Sequence, residues 1–291
     1  MSSRSLGSRL ANVFIYSFLV LVVLTMTLPF INIVAVSFSS ETAVLRGAVT
    51  FWPVDFTVNT YVRIFRESQL IRALGNTVVL TVVGTVINMV CTVCAAYPLS
   101  KPWLKGRGVL LGIITFTMLF GAGIIPSYIL IKNLNLLETF WSLWLPGAIS
   151  TYNMIILKTF FQSIPNSLEE SAQIDGASPL RILVQIVLPL SMASIATIAL
   201  FYAVGWWNSY FSNMLYINTP RLTTLQVQLR ELLNLRDTNI FSIVQTDERL
   251  RMAEESIKAS SIVIATVPIL LVYPFLQRYF VKGVMIGSIK G

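Results

Sequence analysis

Long uncharged apolar stretches alternate with short polar segments along the whole chain. A helix that crosses the hydrocarbon core of a bilayer needs about 20 apolar residues, each rising about 1.5 Å. Of six such stretches, all but the fourth reach this length easily. The fourth is short, although Lys158 at its end can extend its amine to the headgroups. The six stretches without Asp, Glu, Lys or Arg are Leu10–Ser40, Ala73–Ser100, Gly108–Ile131, Thr139–Leu157, Ile182–Pro220 and Ala259–Gln277.

This pattern predicts an all-α membrane protein with six transmembrane helices. The fifth stretch is too long for one helix, so we expect the chain to leave the membrane near Trp207 and continue as a loop. The first is longer than the apolar region of a cleaved signal sequence, so we expect a retained anchor. The predicted parts are an N-terminal segment at 1–11, a transmembrane domain at 12–281 with spans at about 12–36, 76–99, 108–131, 139–158, 183–207 and 259–279, and a tail at 282–291.

Composition supports the same class of protein. Of the 291 residues, 55% are hydrophobic and 12% are charged, whereas a soluble domain carries about 25% charged residues. The net charge of +8 comes without a basic stripe interleaved with aromatic residues. We therefore expect no nucleic-acid binding, because basic residues also flank the spans of membrane proteins in general.

The basic residues also indicate which ends of the spans face the cytoplasm. The short segment Lys101–Arg107 contains three cations, and short segments follow the positive-inside rule more strictly than long ones. We predict that this segment and both termini are cytoplasmic. The two longer polar regions, at about 37–72 and 208–258, are then external, and each is expected to contain a short helix.

The residue types of enzymes and proton-coupled carriers are missing from the spans. Their interiors hold no acid or base, although ion-coupled carriers usually keep such residues near the bilayer centre at about 2.5–3.5 kcal/mol each. Sodium coupling through carbonyls and hydroxyls stays open. The sequence has no His and no G-x-x-x-x-G-K-[ST] phosphate loop. We expect no catalytic residue, metal or cofactor in this chain, so uphill transport would need energy from a partner.

The two cysteines stand in a C-x-x-C arrangement at Cys91 and Cys94. Such spacing can indicate a redox or metal site. The surrounding run is apolar and offers no other ligand, so we interpret both as small residues on a buried helix face.

A polar insert at 163–180 separates the fourth and fifth predicted spans. Ser167 and Glu170 have the spacing of a capping box, and Glu169 stands in the first turn, where the helix dipole favours an anion. Gly176 is a stop signal. The pattern predicts a helix of about two turns, which is marginal in isolation and should dock on another surface.

The insert resembles the coupling motif of binding-protein-dependent ABC importer permeases, written EAA-x3-G-x9-I-x-LP. Glu170-Ser171-Ala172 is followed by Gly176, Ile186 and Leu188-Pro189 at the matching spacings, and Ser171 is the one departure. In that family the short cytoplasmic helix inserts into a cleft of the ATPase and transmits its closure to the spans. The resemblance implies the type I ABC importer permease fold and assigns ATPase coupling to Glu169, Glu170, Ser171, Ala172, Asp175, Gly176 and Ala177.

Other segments are similar to the carbohydrate-type members, which include the smaller permease of the maltose system. They are Pro53–Tyr61, Asn76-Thr77, Ala96–Lys101, Gly123–Tyr128 and the tail Gln277–Gly291. The resemblance implies import of a carbohydrate, foremost an oligosaccharide, by alternating access across the bacterial cytoplasmic membrane. The implied partners are a second permease in a heterodimer, two ATPase subunits that bind ATP and Mg, and an extracytoplasmic solute-binding protein. A non-sugar solute and a secondary carrier remain the alternatives.

Two further sets of site residues follow from this resemblance. Tail residues Gly283, Gly287 and Gly291 are expected to reach the ATPase dimer. A sugar path needs aromatic faces and uncharged hydrogen-bonding groups, although Trp and Tyr also collect at membrane interfaces and in cores. Trp206-Trp207-Asn208 is the strongest cluster among the path candidates, which are Tyr128, Trp144, Tyr152, Asn153, Trp206, Trp207, Asn208 and Tyr210.

Overall fold

The computed structural model describes residues 6–67, 69–234, 255–271 and 274. These residues form α-helices, one π-turn and connecting loops, with no β-strand among them, which confirms the predicted all-α class. The backbone divides into two units, Met1–Leu70 with Leu229–Pro268, and Ile71–Gln228 with Ile269–Gly291.

The helices are numbered here in chain order. They are α1 (Leu6–Ser37), α2 (Glu41–Leu45), α3 (Asn59–Glu67), α4 (Leu70–Ser100), α5 (Arg107–Leu119), α6 (Ile124–Asn133), α7 (Trp141–Trp144), α8 (Thr151–Gln162), α9 (Asn166–Ile174), α10 (Pro179–Ile182), the π-turn (Leu183–Val187), α11 (Leu188–Leu190), α12 (Met192–Trp207), α13 (Phe211–Tyr216), α14 (Leu225–Asn234) and α15 (255–271).

Helix length and apolarity identify the candidate membrane spans in the described residues. Two helices, α1 from Asn12 onward and α4, are each long and apolar enough to cross a membrane. Two further segments meet the same test only as bent pairs: α5 with α6, at 111°, and the stretch from α10 to α11 with α12, at 84°. The described residues thus support two to four spans, and the count of six stays a prediction.

The third, fourth and fifth predicted spans differ from the continuous helices expected from the sequence. The third breaks after Leu119 because glycines follow, and Gly123 adopts a φ of +83° that favours glycine. The fourth is divided into α7 and α8, with Pro146 between them, since proline lacks the amide that a helix interior requires. The fifth bends at Ser191, shortly after Pro189.

The first unit is organised around the end of α1. The Tyr61 hydroxyl on α3 donates to the Ser37 hydroxyl at 2.8 Å, and the Ser260 hydroxyl on α15 donates to the Ser37 carbonyl at 3.3 Å. Phe38 stacks on Phe56 with ring centroids 5.6 Å apart. These contacts fix α3 and α15 to the end of α1 within this unit.

Two apolar clusters form the interior of the second unit. The first cluster joins the end of α4 to α8, the π-turn region and α12, and it contains Tyr97, Phe161 and Ile182. The second joins α4 to α6, α7 and α13, and it contains Leu80 and Trp144. The first cluster lies directly beside α9, so it supports the segment that the sequence identifies as functional.

Polar side chains on α4 bind the neighbouring elements of this unit. Asn88 is fully buried; its amide donates to the Gly147 carbonyl, and its oxygen accepts from the Trp206 indole at 2.5 Å. One turn further on, Thr92 shares a 2.7 Å hydrogen bond with Tyr202. Each such bond inside a membrane contributes roughly 0.6–2 kcal/mol. Together they fix α12 and the segment before α8 against α4.

Gly84 gives a direct test of this packing. A Cβ added at Gly84 would lie 2.7 Å from the Trp206 indole nitrogen, so Gly84→Ala should displace the indole from Asn88 and cost about 1–3 kcal/mol. The measurement is thermal unfolding of the detergent-purified protein. Gly75→Ala is the matched control, because nothing lies within 4 Å of that position in the same helix. Equal unfolding temperatures for the two variants would contradict the packing described.

The two cysteines are not both on a buried face. Cys91 is partly buried and Cys94 is exposed, and both are free thiols. The described residues contain no group of three or more His, Cys, Asp or Glu side chains that could hold a metal ion.

Candidate functional site: the α9 coupling segment

The polar insert folds as the single helix α9, close to the predicted length. It begins at Asn166 after Pro165, which makes no side-chain cap hydrogen bond. The predicted capping box is therefore not formed; instead the Ser171 hydroxyl donates to the Ser167 carbonyl at 2.8 Å. Pro165 occupies the N-cap position, and its carbonyl accepts from the Leu168 amide at 3.2 Å.

The C-terminal end of α9 explains the small residues of the motif. Gly176 has a φ of +78°, its amide donates to the Gln173 carbonyl at 3.0 Å, and the Ala177 amide donates to the Ala172 carbonyl at 2.9 Å. This pair of bonds is a Schellman motif, which commonly brings together the apolar residues at its two ends. Ala172 and Ala177 both pack against the first apolar cluster.

One acidic side chain of α9 is turned into the protein. Glu169 is 6% exposed, and its carboxylate forms an ion pair with the Lys101 ammonium, which is 5% exposed. The same ammonium lies 4.8 Å from the centroid of the Tyr97 ring. The pair therefore connects the middle of α9 to the C-terminal end of α4, because Lys101 directly follows that helix.

The opposite face of α9 is open to solvent. Glu170, Ser171, Gln173 and Asp175 are exposed, and Ile174 is 88% exposed. Ile174 is the most exposed large apolar side chain of α9. The predicted coupling residues thus divide into an exposed set and an inward set, with Glu169, Ala172 and Ala177 in the latter.

The I-x-LP part of the motif occupies a distorted stretch of helix after α9. Ser178 caps α10 by accepting from the Arg181 amide at 3.4 Å. Ile186 lies within the π-turn, Pro189 lies in α11, and the 84° bend follows at Ser191. Such π-turns occur frequently at functional sites, and here the motif residues mark the place where the chain changes direction.

Comparison with known proteins agrees with this geometry. Residues 89–286 match the family described as "Binding-protein-dependent transport system inner membrane component". The chain belongs to this family. Membership confirms the prediction of a membrane transport subunit that is not an enzyme.

Several relatives of this permease match over almost their whole length. It is 46% identical to Protein LplC of Bacillus subtilis, covering 91% of this chain and 89% of that protein. It is 43% identical to the polygalacturonan/rhamnogalacturonan transport system permease protein YtcP of the same organism, covering 98% and 99%. A crystal structure of a bacterial ABC transporter involved in the import of the acidic polysaccharide alginate contains a similar chain, at 33% identity and a TM-score of 0.87, covering 96% of this chain and 100% of that one.

The structure buries several residues that the sequence offered for the substrate path. Trp144 is buried in the second apolar cluster and its indole donates to the Leu80 carbonyl at 3.2 Å. Asn153 is buried as well. Trp206 lies against Gly84 and Gly147, and Tyr128 stacks on Tyr216 with centroids 6.2 Å apart. These contacts give Trp144, Trp206 and Tyr128 a packing role in the permease.

The remaining path candidates lie nearer the surface. Tyr152 and Asn208 are exposed, and the Asn208 amide donates to the Val204 carbonyl at 3.0 Å. Trp207 is partly buried, with an indole nitrogen that has no hydrogen-bond partner in the described residues. The Tyr210 hydroxyl donates to the Met214 sulfur at 2.9 Å. Gly283, Gly287 and Gly291 of the tail lie outside the described residues.

The Glu138 carboxylate, which the sequence patterns did not indicate, joins two loops of the second unit. Glu138 has a φ of +59°, and its carboxylate accepts from the Asn218 amide at 3.0 Å and from the Thr219 hydroxyl at 2.7 Å. Burial alone would raise the pKa of Glu138, but the hydrogen bonds from Thr219 and Asn218 outweigh it and hold the pKa below its ordinary value. The loop before α7 is thereby attached to the loop after α13.

The stabilisation of the fold by the Glu138 carboxylate should therefore depend on pH. A carboxylate whose folded-state pKa is depressed stabilises the fold fully above its unfolded pKa of about 4.3, and the effect is lost as the pH falls through the lower folded value. The gap in unfolding temperature between wild type and Glu138→Gln should therefore be constant near neutral pH and shrink below about pH 4. A gap that is independent of pH down to the acid limit of the assay would contradict this assignment.

Proposed function

We propose that this chain is one of two different permease subunits in an ATP-binding-cassette importer for oligosaccharides. The observation that carries the proposal is the 43% identity, over 98% of this chain, to a permease named for polygalacturonan and rhamnogalacturonan transport. The similarity to a chain of an alginate importer points in the same direction. Oligosaccharides that contain uronic acids are therefore the first substrates to test.

In this proposal the exposed face of α9 docks on the ATPase, and the tail glycines reach the ATPase dimer. The ATP and Mg are bound by two ATPase subunits, and an extracytoplasmic binding protein delivers the sugar. Closure of the ATPases displaces α9, and the spans alternate between inward- and outward-facing states. Tyr152 and Asn208 are the path candidates that the structure leaves exposed.

The substrate proposal is tested with the complete transporter in proteoliposomes. Oligogalacturonate, oligoalginate and neutral malto-oligosaccharides are each supplied with the cognate binding protein, and both ATP hydrolysis and accumulation of labelled sugar are measured. We expect stimulation by at least one acidic oligosaccharide. Stimulation by malto-oligosaccharides alone would overturn the acidic assignment, and no stimulation by any sugar, with uptake of another solute, would overturn the carbohydrate assignment.

The proposed topology has six spans with both termini in the cytoplasm of a bacterial cell. Single cysteines at Lys105 and Gln173 should then be protected from a membrane-impermeant thiol reagent on intact cells, and a cysteine at Asn239 should be labelled. The background is a variant in which Cys91 and Cys94 are replaced, since Cys94 is exposed. Labelling of position 173 from outside would invert the topology.

A further inference from the structure

The two consecutive glutamates of the coupling segment lie in different environments. Glu169 is buried and paired with Lys101, whereas Glu170 is exposed on the open face of α9. Glu170 has neither an ion pair nor a side-chain hydrogen bond to any residue in the described part of the chain. Identical side chains at adjacent positions can therefore serve different purposes.

We propose that the Glu169–Lys101 pair is a rigid joint that passes displacement of α9 to the cytoplasmic end of α4. The inference rests on the proposed function, because the displacement comes from the ATPase. Glu169 and Lys101 are positioning residues, since they act through the helices that they join.

The surroundings of Lys101 extend this joint to a second helix. Its ammonium lies over the Tyr97 ring, and that ring packs edge-on against Phe161 of α8 with centroids 6.3 Å apart. The Gln162 amide of α8 also donates to the Ser100 carbonyl at 3.3 Å. A force on Glu169 is thus carried to the end of α4 and to the end of α8 together.

Burial makes the ion pair hard to separate. Pulling Glu169 away from Lys101 would leave two uncompensated charges in an apolar environment, which is strongly unfavourable. Ala172 and Ala177 of α9 pack against the first apolar cluster. Their side chains are small, so they oppose movement of α9 across that cluster only weakly. When α9 moves, Lys101 should therefore move with it instead of remaining in place.

Three variants separate this positioning role from a purely structural one. Glu169→Gln and Lys101→Met each leave one buried charge unpaired, while the double variant removes both charges and keeps the approximate shape. In the complete transporter, with the binding protein and oligogalacturonate, each single variant should lose about tenfold or more of the stimulated ATP hydrolysis. The double variant should recover assembly of the four-subunit complex but not stimulation. Recovery of both would mean that the pair only stabilises the fold.

Glu170→Gln is the control at the neighbouring position. It should reduce stimulation by itself, and its effect should add to that of Lys101→Met because the two side chains do not interact. For Glu169→Gln and Lys101→Met the two effects should instead be strongly non-additive. Additive effects for the Glu169 pair would overturn the joint.

A distance measurement tests the same inference without any sugar. Spin labels at Gln173 and Trp103, both exposed, report the separation between α9 and the segment after α4. The joint predicts the same distance in nucleotide-free transporter and in transporter trapped with ATP and vanadate. A change of several ångströms in the wild type would overturn it. Failure of vanadate to trap the complex would count against the proposed function instead.

Discussion

Replacing Ile174 with aspartate should abolish binding-protein-stimulated ATP hydrolysis and transport. Ile174 is 88% exposed at the end of α9, where an apolar side chain has no role in the fold of the chain itself. An interface hot spot contributes about 2 kcal/mol or more, which corresponds to about 30-fold in affinity, and Ile174 takes that role in the proposed docking surface. Aspartate also introduces a charge that would lose its hydration in the ATPase cleft.

The matched control is Ile174→Leu, which keeps an apolar side chain of the same size. It should retain most of the stimulation, and both variants should insert and unfold like wild type, because exposed substitutions usually change stability by less than about 0.5 kcal/mol. The measurement is ATP hydrolysis in proteoliposomes alongside co-purification of the subunits. Wild-type stimulation in Ile174→Asp would show that this face does not contact the ATPase.

Gly176→Val is the second change expected to have a large effect. The backbone at Gly176 has a φ of +78°, which a β-branched residue adopts only with strain of roughly 1–2 kcal/mol. No neighbouring atom lies within 4 Å of an added Cβ, so the strain comes from the backbone and not from a clash. Relief of that strain would open the Schellman motif, release the Ala177 amide from the Ala172 carbonyl, and turn Ile174 away from its docking position.

Gly176→Asn distinguishes the effect of backbone conformation on coupling from the effect of side-chain size. Asparagine tolerates the left-handed region far better than valine, so this variant should keep the end of α9 in place and retain most of the coupling. Gly176→Val should lose coupling at nearly normal membrane expression. Equal loss in both variants would mean that the docking surface rejects any side chain at Gly176 and that backbone geometry is not the cause.

Local patterns predicted the short helix α9 well. Residues 163–180 carry their own signals: helix-favouring residues between two prolines and a glycine at the C-terminal end. The structure confirms a short helix that ends just before Gly176, where φ is positive. The start was misassigned, because Ser167 has capping-box spacing to Glu170 while Pro165 already determines where the helix begins.

Long-range contacts were beyond the reach of local patterns. Lys101 and Glu169 are separated by 68 residues, and the sequence around Lys101 indicates only a cytoplasmic loop. Likewise, aromatic character offers Trp206 as a path candidate but does not predict its hydrogen bond to Asn88 or the close approach of Gly84. Such pairings depend on how helices cross, and hydropathy contains no information about crossing.

Helix continuity was also overestimated by hydropathy. An uncharged run such as Gly108–Ile131 has the length of a span, yet the structure bends it by 111° between α5 and α6. Glycine and proline within an apolar run signal such breaks, and Gly121, Gly123 and Pro126 stood in the sequence.

The most direct test of the central claim is an omission experiment with purified subunits. This permease, its partner permease, the ATPase and the loaded binding protein are reconstituted together, and then each is left out in turn while sugar uptake and ATP hydrolysis are measured. We predict uptake and stimulated hydrolysis only in the complete mixture, and neither activity from this chain alone. Sugar uptake by liposomes that contain only this chain would contradict the account and identify a secondary carrier.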